Sequence, residues 1–559
     1  MLSRTATSAR RIAQIPPYAA FTLRLLRNPG KQVSSQRWNS NTAGAPSELG
    51  QTKIAASQSP PDTPDPSHTG QLAKLLIDSI KVGLLLMLQT CPIPVARYMQ
   101  FCLGHPTQGY YTRKRGSEVS TAAGATSDAT QVTTLDETTS KVLKQVENDV
   151  FGRKGDFITS PEISQMFGEL VGVWFLSQWA AQGQPKKVRI IELGPGRGTL
   201  LDDILRTFRS VPSFPITSLK SVNLVETSEP LRAQQREKIQ QRVNTFGGHG
   251  GAVELKFWNW IGEIPIEKDT FTMVLAHEFF DALPINIFQV GRDSIITISN
   301  HANHFTAPLQ RTEEGWREVF VNIDPEWTSS SAPSTTSSTP TPADQAAFTP
   351  TTRANSGLTL ALSRESSTLS SVLPTTSPRF ADVPVGGRVE ISKDSFETMR
   401  MVGQLISAAN YDDGSVEAGT CAGGAGLVID YGADHFSSNS FRAFRRHEIV
   451  HVFDDPGSAD LTANVDFAYL KEALSGAATP HGPINQRTFL TSLGLAPRLD
   501  KLLQSAKTKE RKLDIANAAR RLVDEDGMGG EYQFLGITPR KAGPDDKSNS
   551  LNKVYPFET

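Results

Sequence analysis

Cysteine is scarce. The three present in 559 residues, Cys91, Cys102 and Cys421, exclude a disulfide framework, and with no CxxC pair they build no cysteine-type zinc site. A reducing compartment fits this usage. Long apolar runs are missing as well. The most apolar stretch, Val82 to Leu88, is far shorter than the ~20 residues a membrane-spanning helix needs. Bracketed by Lys81, Gln89 and Arg97, it reads as a buried helix of a soluble protein with no integral membrane segment. Net charge is nearly absent: 57 Lys and Arg against 58 Asp and Glu leave −1, so no global field draws the chain to nucleic acid.

Acidic residues are absent before Glu48, whereas Arg4, Arg10, Arg11, Arg24, Arg27, Lys31 and Arg37 lie in that stretch among Ser, Thr and Ala. A basic, acid-free, Ser-rich leader able to form an amphipathic helix has the signature of a mitochondrial transit peptide; the plainer alternative is a basic tail. Residues 1–69 are read as transit peptide and linker, closing on the Pro-rich QSPPDTPDPS. Order is expected from near Gln71, where Leu72, Leu75, Leu76 and Ile80 recur at helical spacing. A folded region over 70–540 follows, with a tail at 541–559. Three stretches read as disordered inserts within it: about 116–140, 328–378 and 412–424. The second is dominated by Ser, Thr, Pro and Ala with only four charges, and such a composition buries too little apolar surface to offset its chain entropy.

Between the inserts strand and helix alternate. Val188 to Leu193 is an apolar run ending in glycines, and Leu200, Leu201, Ile204, Leu205 and Phe208 then recur at helical spacing, with Asp202 and Asp203 in the first turn. Ser221 to Glu226 reads as a second strand, and Ser228 as the cap of a helix with Pro230 in its first turn. Val253 to Trp258, Phe271 to Ala276 and Leu427 to Tyr431 are further strands. The alternation predicts an α/β fold: a mostly parallel sheet with helices on both faces.

The strongest motif is Glu192-Leu-Gly194-Pro-Gly196-Arg-Gly198, between a strand and a helix. Glycines there permit a tight turn and close approach of a ligand. Dinucleotide folds use GxGxxG to hold a pyrophosphate. Here the spacing is GxGxG, and an acid precedes the first glycine. That form suits S-adenosylmethionine, which carries a sulfonium and an ammonium and no phosphate. Glu226, ending the next strand, can accept both ribose hydroxyls of an adenosine, a device that NAD-binding proteins share. The ordered set favours S-adenosylmethionine over NAD and over an unliganded glycine turn.

The strand at 271–276 runs into His277-Glu278-Phe279-Phe280-Asp281. In open α/β sheets the ligand lies at the carboxyl ends of the strands, beside the switch point, so this loop faces the transferred group. Glu278 and Asp281 as catalytic carboxylates suit a guanidinium, which is planar, always protonated and has five donors. Phe279 and Phe280 either wall the pocket or belong to the core, and Glu278 would otherwise cap a helix. A second motif misleads. His447-Glu448-Ile-Val-His451 matches the zinc-protease HExxH, which requires a helix. The neighbours Ile449, Val450, Val452 and Phe453 read as strand, and Asp454-Asp455-Pro456-Gly457 as a turn, so no metal is expected.

With these residues in place, the chain resembles the mitochondrial complex I assembly protein arginine methyltransferases and their bacterial relatives, over about residues 71 to 540 outside the inserts. The resemblance rests on several ordered blocks: Pro106-Thr-Gln-Gly109-Tyr110-Tyr111, Gly155-Asp156-Phe157-Ile158-Thr159-Ser160-Pro161-Glu162-Ile163-Ser164-Gln165, residues 276–284, Val428-Ile429-Asp430-Tyr431-Gly432, Asp460-Leu461-Thr462, Asp466-Phe467 and Gly482-Pro483-Ile484. It implies a Rossmann-like class I S-adenosylmethionine methyltransferase with an added helical part. It also implies activity in the mitochondrial matrix on an arginine of a peripheral-arm core subunit of complex I during assembly. It adds Thr159 and Ser160 to the cofactor-binding set of Glu192, Gly194, Gly196, Gly198 and Glu226, and makes Asp156, Glu162 and His277 substrate-side candidates. His277 departs from the Asn common in bacterial members, Cys91 from a common Gly, and the 328–378 insert is unusual. Two other readings stand beside the enzyme: an assembly chaperone that keeps the cofactor fold, and an NAD-dependent oxidoreductase. A homodimer is left open.

Overall fold

A computed structural model describes residues 70–87, 92–112, 159–246, 252–292, 314–325, 354–408, 422–540 and 554–558. The leader, the insert at 116–140 and Asp156 lie outside them. Helix α1 (Gln71–Met87) starts where the apolar spacing predicts and buries Leu72, Leu76, Ile77 and Ile80. Helix α2 (Val95–Gly104) follows. The single turn α3 (Ser160–Ile163), with Pro161 near its start, leads into α4 (Gln165–Ala181), which Ser164 caps by accepting from the Met166 amide.

Four parallel strands then alternate with helices: β1 (Val188–Leu193), α5 (Thr199–Ser210), β2 (Leu219–Val225), α6 (Glu229–Asn244), β3 (Glu254–Trp258) and β4 (Phe271–His277). Every residue of β1 is buried, as expected of a strand covered on both faces. Ser228 does stand at the cap position of α6 but makes no capping bond; its hydroxyl donates to the Tyr111 carbonyl at 3.1 Å.

The chain next builds a separate antiparallel sheet from β5 (Asn286–Arg292), β6 (Glu314–Ile323), β7 (Leu358–Leu362) and β8 (Arg388–Ile391). This corrects the insert expected over 328–378 from residue 354 onward; 328–353 lie outside the described residues. Residues 358–362 pair with β6, a helix spans Thr368–Val372, and Leu373 and Phe380 are buried. The Ser-rich composition there serves as caps: Ser367 accepts from the Ser370 amide in a reciprocal capping box. Helix α7 (Lys393–Ser407) returns to β9 (Gly424–Ala433), whose first residue was expected to fall in the third insert.

A small sheet, β10 (Arg442–Arg445), β11 (Glu448–Val450) and β12 (Asp460–Thr462), precedes the antiparallel pair β13 (Ala478–Asn485) and β14 (Tyr532–Pro539). The HExxH stretch is a turn at Arg446 and His447 followed by strand, and no metal-binding cluster occurs among the described residues. The added helical part is α8 (Gln486–Ser492), α9 (Leu495–Ser505) and α10 (Lys509–Val523). Arg498 on α9 forms a bidentate pair with Glu169 of α4, at 2.5 and 2.8 Å. Of the expected tail, residues 554–558 are described and pack on this part: the Phe557 ring meets Trp174 edge-to-face and lies tilted against Phe489, and the Trp174 ring N–H donates to the Tyr555 carbonyl.

The central sheet runs β13-β14-β9-β4-β1-β2-β3. The order reverses at β1, between β2 and β4, and there the carboxyl ends lie level: Leu193 faces Val225 and Ala276, and His277 faces Ile429. Ligands of open α/β sheets bind at such a switch point. Among the described residues no helix is long and apolar enough to cross a membrane.

Candidate cofactor and acceptor site

A cavity of about 470 Å³ opens at this switch point. Its lining includes Thr159, Glu162, Glu192, Gly194, Gly196, Glu226, His277, Glu278 and Asp281, nine of the residues expected from sequence. Two others do not reach it. Ser160 is fully buried and donates its hydroxyl to Gln486 Oε1 at 3.3 Å, and a Cβ on Gly198 would meet the Ile239 side chain of α6 at 3.3 Å. Both positions meet packing neighbours, and neither lines the cavity.

On one side of the cavity the chain turns sharply out of β1. Gly194, Gly196 and Gly198 all have positive φ, a region in which a side chain is strained. A Cβ on Gly194 would also come within 2.9 Å of the Phe279 ring. Glu192, last but one in β1, is buried, and its Oε2 has no hydrogen-bond partner among the described residues. Burial pushes its carboxyl up to about 8. Glu226 follows β2, its amide donating to the Trp258 carbonyl. Its Oε1 accepts from the Ser228 amide at 2.8 Å and its Oε2 from Gln235 at 3.2 Å. Arg197 of the glycine loop reaches both carboxylate oxygens of Glu162 at 3.3 Å, so Glu162 joins the loop from α3.

On the other side stands the loop after β4. Glu278 has φ of +49°, rare for a residue with a side chain. Three contacts over-determine that conformation: its amide donates to the Ile429 carbonyl, its Oε1 accepts from the Tyr532 hydroxyl at 2.8 Å, and Asp430 grips the next three backbone amides. Asp430, fully buried on β9, accepts the amides of Phe279, Phe280 and Asp281 through one oxygen, at 3.2, 2.9 and 3.3 Å. Asp281 accepts from the Thr462 hydroxyl at 2.8 Å with Oδ2, while its Oδ1 is buried without a partner among the described residues.

Burial, aided by the Asp281 charge, raises the Glu278 carboxyl to about 8, and burial raises Asp281 and Asp430 too. His277 is driven the other way, down to about 3, by burial, so its imidazole is neutral. Its Nε2 lies 3.5 Å from Glu278 Oε1. Phe279 borders the cavity; Phe280 is core.

Sequence reasoning assigned no role to Asp430, Asp460, Tyr111, Tyr431 or Tyr532, although all but Tyr532 fall in the blocks on which the resemblance rests. Tyr431 and Tyr532 pack ring to ring beside Glu278, and Tyr111 donates to Asp460 at 2.9 Å. No local spacing announces these partners, which arrive from strands and loops far apart in the chain.

The donor set bears on what binds. Five buried side-chain polar atoms lack a partner among the described residues, and three of them, on Glu192, His277 and Asp281, belong to residues lining this one cavity. An unpaired buried acceptor costs on the order of 1–3 kcal/mol, so a cluster of acceptors calls for cationic or donor groups. A pyrophosphate would gain nothing from these acceptors and would be repelled by them once ionised. The sulfonium, ammonium and diol of S-adenosylmethionine fit.

Comparison with known proteins agrees. The family model of S-adenosyl-L-methionine-dependent methyltransferases matches residues 170–484. The chain belongs to this family. It is 31% identical to the mitochondrial protein arginine methyltransferase NDUFAF7 of Mus musculus, covering 84% of this chain and 86% of that one. It is 33% identical to the Danio rerio protein of that name (81% and 84%), and 30% identical to the Drosophila melanogaster homolog (91% and 95%). A Burkholderia thailandensis protein whose crystal structure holds S-adenosyl-homocysteine shares the fold, with a TM-score of 0.55 at 20% identity over 87% of this chain and 96% of that one. The cofactor expected from the glycine loop is therefore that of the family, and the oxidoreductase reading falls.

Proposed function

We propose that this methyltransferase modifies an arginine on another protein, a peripheral-arm core subunit of respiratory complex I, in the mitochondrial matrix during assembly. The observation that carries the arginine is the carboxylate pair of the β4 loop: Glu278 and Asp281, both inside the cavity, with an unpartnered oxygen on Asp281. The curated relatives, named as mitochondrial protein arginine methyltransferases, support an arginine acceptor and a mitochondrial location. The acid-free leader supports the compartment independently.

In this reading Glu192, Gly194, Gly196 and Glu226 hold S-adenosylmethionine, which supplies a methyl group on a positively charged sulfur. Glu278 and Asp281 orient the guanidinium through charge-assisted hydrogen bonds. Pairing with one face of the cation also localises electron density on the nitrogen left facing the cofactor. Methylated arginine keeps a single positive charge, so one N–H proton leaves, and Glu278 is placed to take it. Phe279, Tyr431 and Tyr532 exclude water. Positioning of this kind supplies much of the acceleration in a transfer needing no covalent enzyme intermediate.

The test is incubation of the purified chain with S-adenosylmethionine and isolated peripheral-arm subunits, followed by mass spectrometry. Methylarginine that depends on Glu278 supports the proposal. Cofactor binding without any methylated arginine overturns it and leaves the chaperone reading.

A further inference from the structure

Helix α6 is polar over most of its length, and its buried positions are Gln235, Ile239 and Val243, spaced four apart. Ile239 and Val243 are ordinary core residues of a helix stripe. Gln235 is fully buried at the first position of the stripe, where an apolar side chain would pack without desolvating an amide.

Its geometry explains the exception. The amide nitrogen donates to the Gly196 carbonyl at 2.6 Å and to Glu226 Oε2 at 3.2 Å. Both are acceptors, which fixes the nitrogen toward them and leaves Oε1 buried with no partner among the described residues, a state that costs stability. The Gln235 stem also lies 3.9 Å from where a Cβ on Gly198 would sit. One side chain thus joins the middle of the glycine turn to the carboxylate at the end of the neighbouring strand. Glu226 Oε1 is held by the Ser228 amide at the start of the same helix. Both oxygens of Glu226 are therefore fixed from α6, and the same side chain ties α6 to the glycine turn.

We infer that Gln235 is a positioning residue for the adenosine half of the cofactor, setting the Glu226 carboxylate at a fixed distance from the glycine turn. The inference rests on Glu226 being the adenosine ligand of this family's cofactor. Gln235 lines no part of the cavity itself, so it acts through those two groups.

The experiment measures the affinity of S-adenosyl-homocysteine by calorimetry, and thermal unfolding of the ligand-free chain, for the parent and for Gln235→Leu, Gln235→Glu and Glu226→Gln. Gln235→Leu keeps the bulk, removes the donor and removes the orphaned oxygen. The expected result is a Kd about tenfold weaker, roughly one lost hydrogen bond's worth, with the unfolding temperature of the ligand-free chain unchanged or raised. Gln235→Glu, which opposes both acceptors, weakens binding further and gives a second reading should the Leu variant not fold. Parent-like affinity in a folded Gln235 variant, or a loss of affinity matched by a fall in ligand-free stability, overturns the inference. If Glu226→Gln also binds like the parent, the adenosine assignment itself falls; if it binds weakly while Gln235→Leu does not, only the role of Gln235 falls.

Discussion

The two halves of the cavity are built in different ways. The cofactor half is local: Glu192, the glycine turn and Glu226 lie within 35 residues, on two adjacent strands and the turn between strand and helix. The acceptor half is assembled from distant parts. Glu278 takes its shape from Asp430 and Tyr532, and Asp281 from Thr462. The turn of the local half is specified by backbone conformation, through glycines at positive φ. An assembled half needs a buried carboxylate, Asp430, to hold three successive amides of a turn whose first residue has a strained backbone.

If the halves are separable, they should fail separately. The largest effect is expected from Glu278→Gln, which keeps the shape but removes the charge facing the acceptor. Methyl transfer should fall about 10³-fold, the scale seen when a single electrostatic contact to a reacting group is removed. Affinity for S-adenosyl-homocysteine should stay within twofold, as calorimetry will show. A matched loss of cofactor affinity would mean that Glu278 belongs to both halves. The converse is Gly194→Val. Its backbone φ of +62° and the Phe279 ring 2.9 Å from an added Cβ leave the side chain no room. Cofactor affinity should weaken about 100-fold or more, on the ~1–3 kcal/mol scale of a forced backbone strain added to the clash. Phe279 belongs to the acceptor loop, so this substitution also tests whether that ring is where the halves touch.

The pH dependence sharpens the comparison with an effect nearer tenfold. Glu278 is raised to about 8 by burial and by Asp281, and Glu192 to about 8 by burial. Such carboxyls bind protons in the folded chain between roughly pH 4.5 and 8 that the unfolded chain has released. Stability of the ligand-free protein therefore falls as pH rises through that window. Activity runs the opposite way, since an acceptor cation is held by ionised Glu278: kcat/KM should rise about tenfold from pH 6.5 to 8 and level off above. A flat profile of both quantities would show that Glu278 is already ionised in the free protein.

How much of the molecule is legible in sequence divides along the same line. The strands expected at 188–193 and 271–276, the helix after the glycine turn, and six cavity residues, Glu192, Gly194, Gly196, Glu226, Glu278 and Asp281, are readable because strand period, helix period and glycine spacing are local signals; Thr159, Glu162 and His277 came only through the resemblance. Asp430 carries no such signal: an acid inside an apolar strand run shows only that something must satisfy it, not what. The antiparallel sheet escapes sequence reasoning for a related reason. Its strand at 358–362 sits in Ser- and Thr-rich sequence that composition marks as unable to fold alone, and pairing with β6 supplies the missing stabilisation. Composition measures a segment by itself, whereas a strand added to an existing sheet draws on its neighbour's hydrogen bonds.

The smallest predicted effect separates resemblance from geometry. Ser160 came into the cofactor set because its block borders the cofactor in the family. Its neighbour Thr159 lines the cavity, but the Ser160 hydroxyl is buried against Gln486, whose own amide donates to the Leu522 carbonyl at 2.8 Å. The bond joins α3 to α8 and, through Gln486, to α10. Ser160→Ala should therefore lower stability by about 1 kcal/mol, the net worth of one buried hydrogen bond, and leave the affinity for S-adenosyl-homocysteine within twofold. Denaturant unfolding and calorimetry on the same sample decide it. A drop in affinity larger than the drop in stability would place Ser160 back among the cofactor's contacts and would mean that α3 shifts when ligand binds. A change in stability alone would show that this block supports the cofactor half from behind, by fastening the turn that carries Thr159 and Glu162 to the added helices.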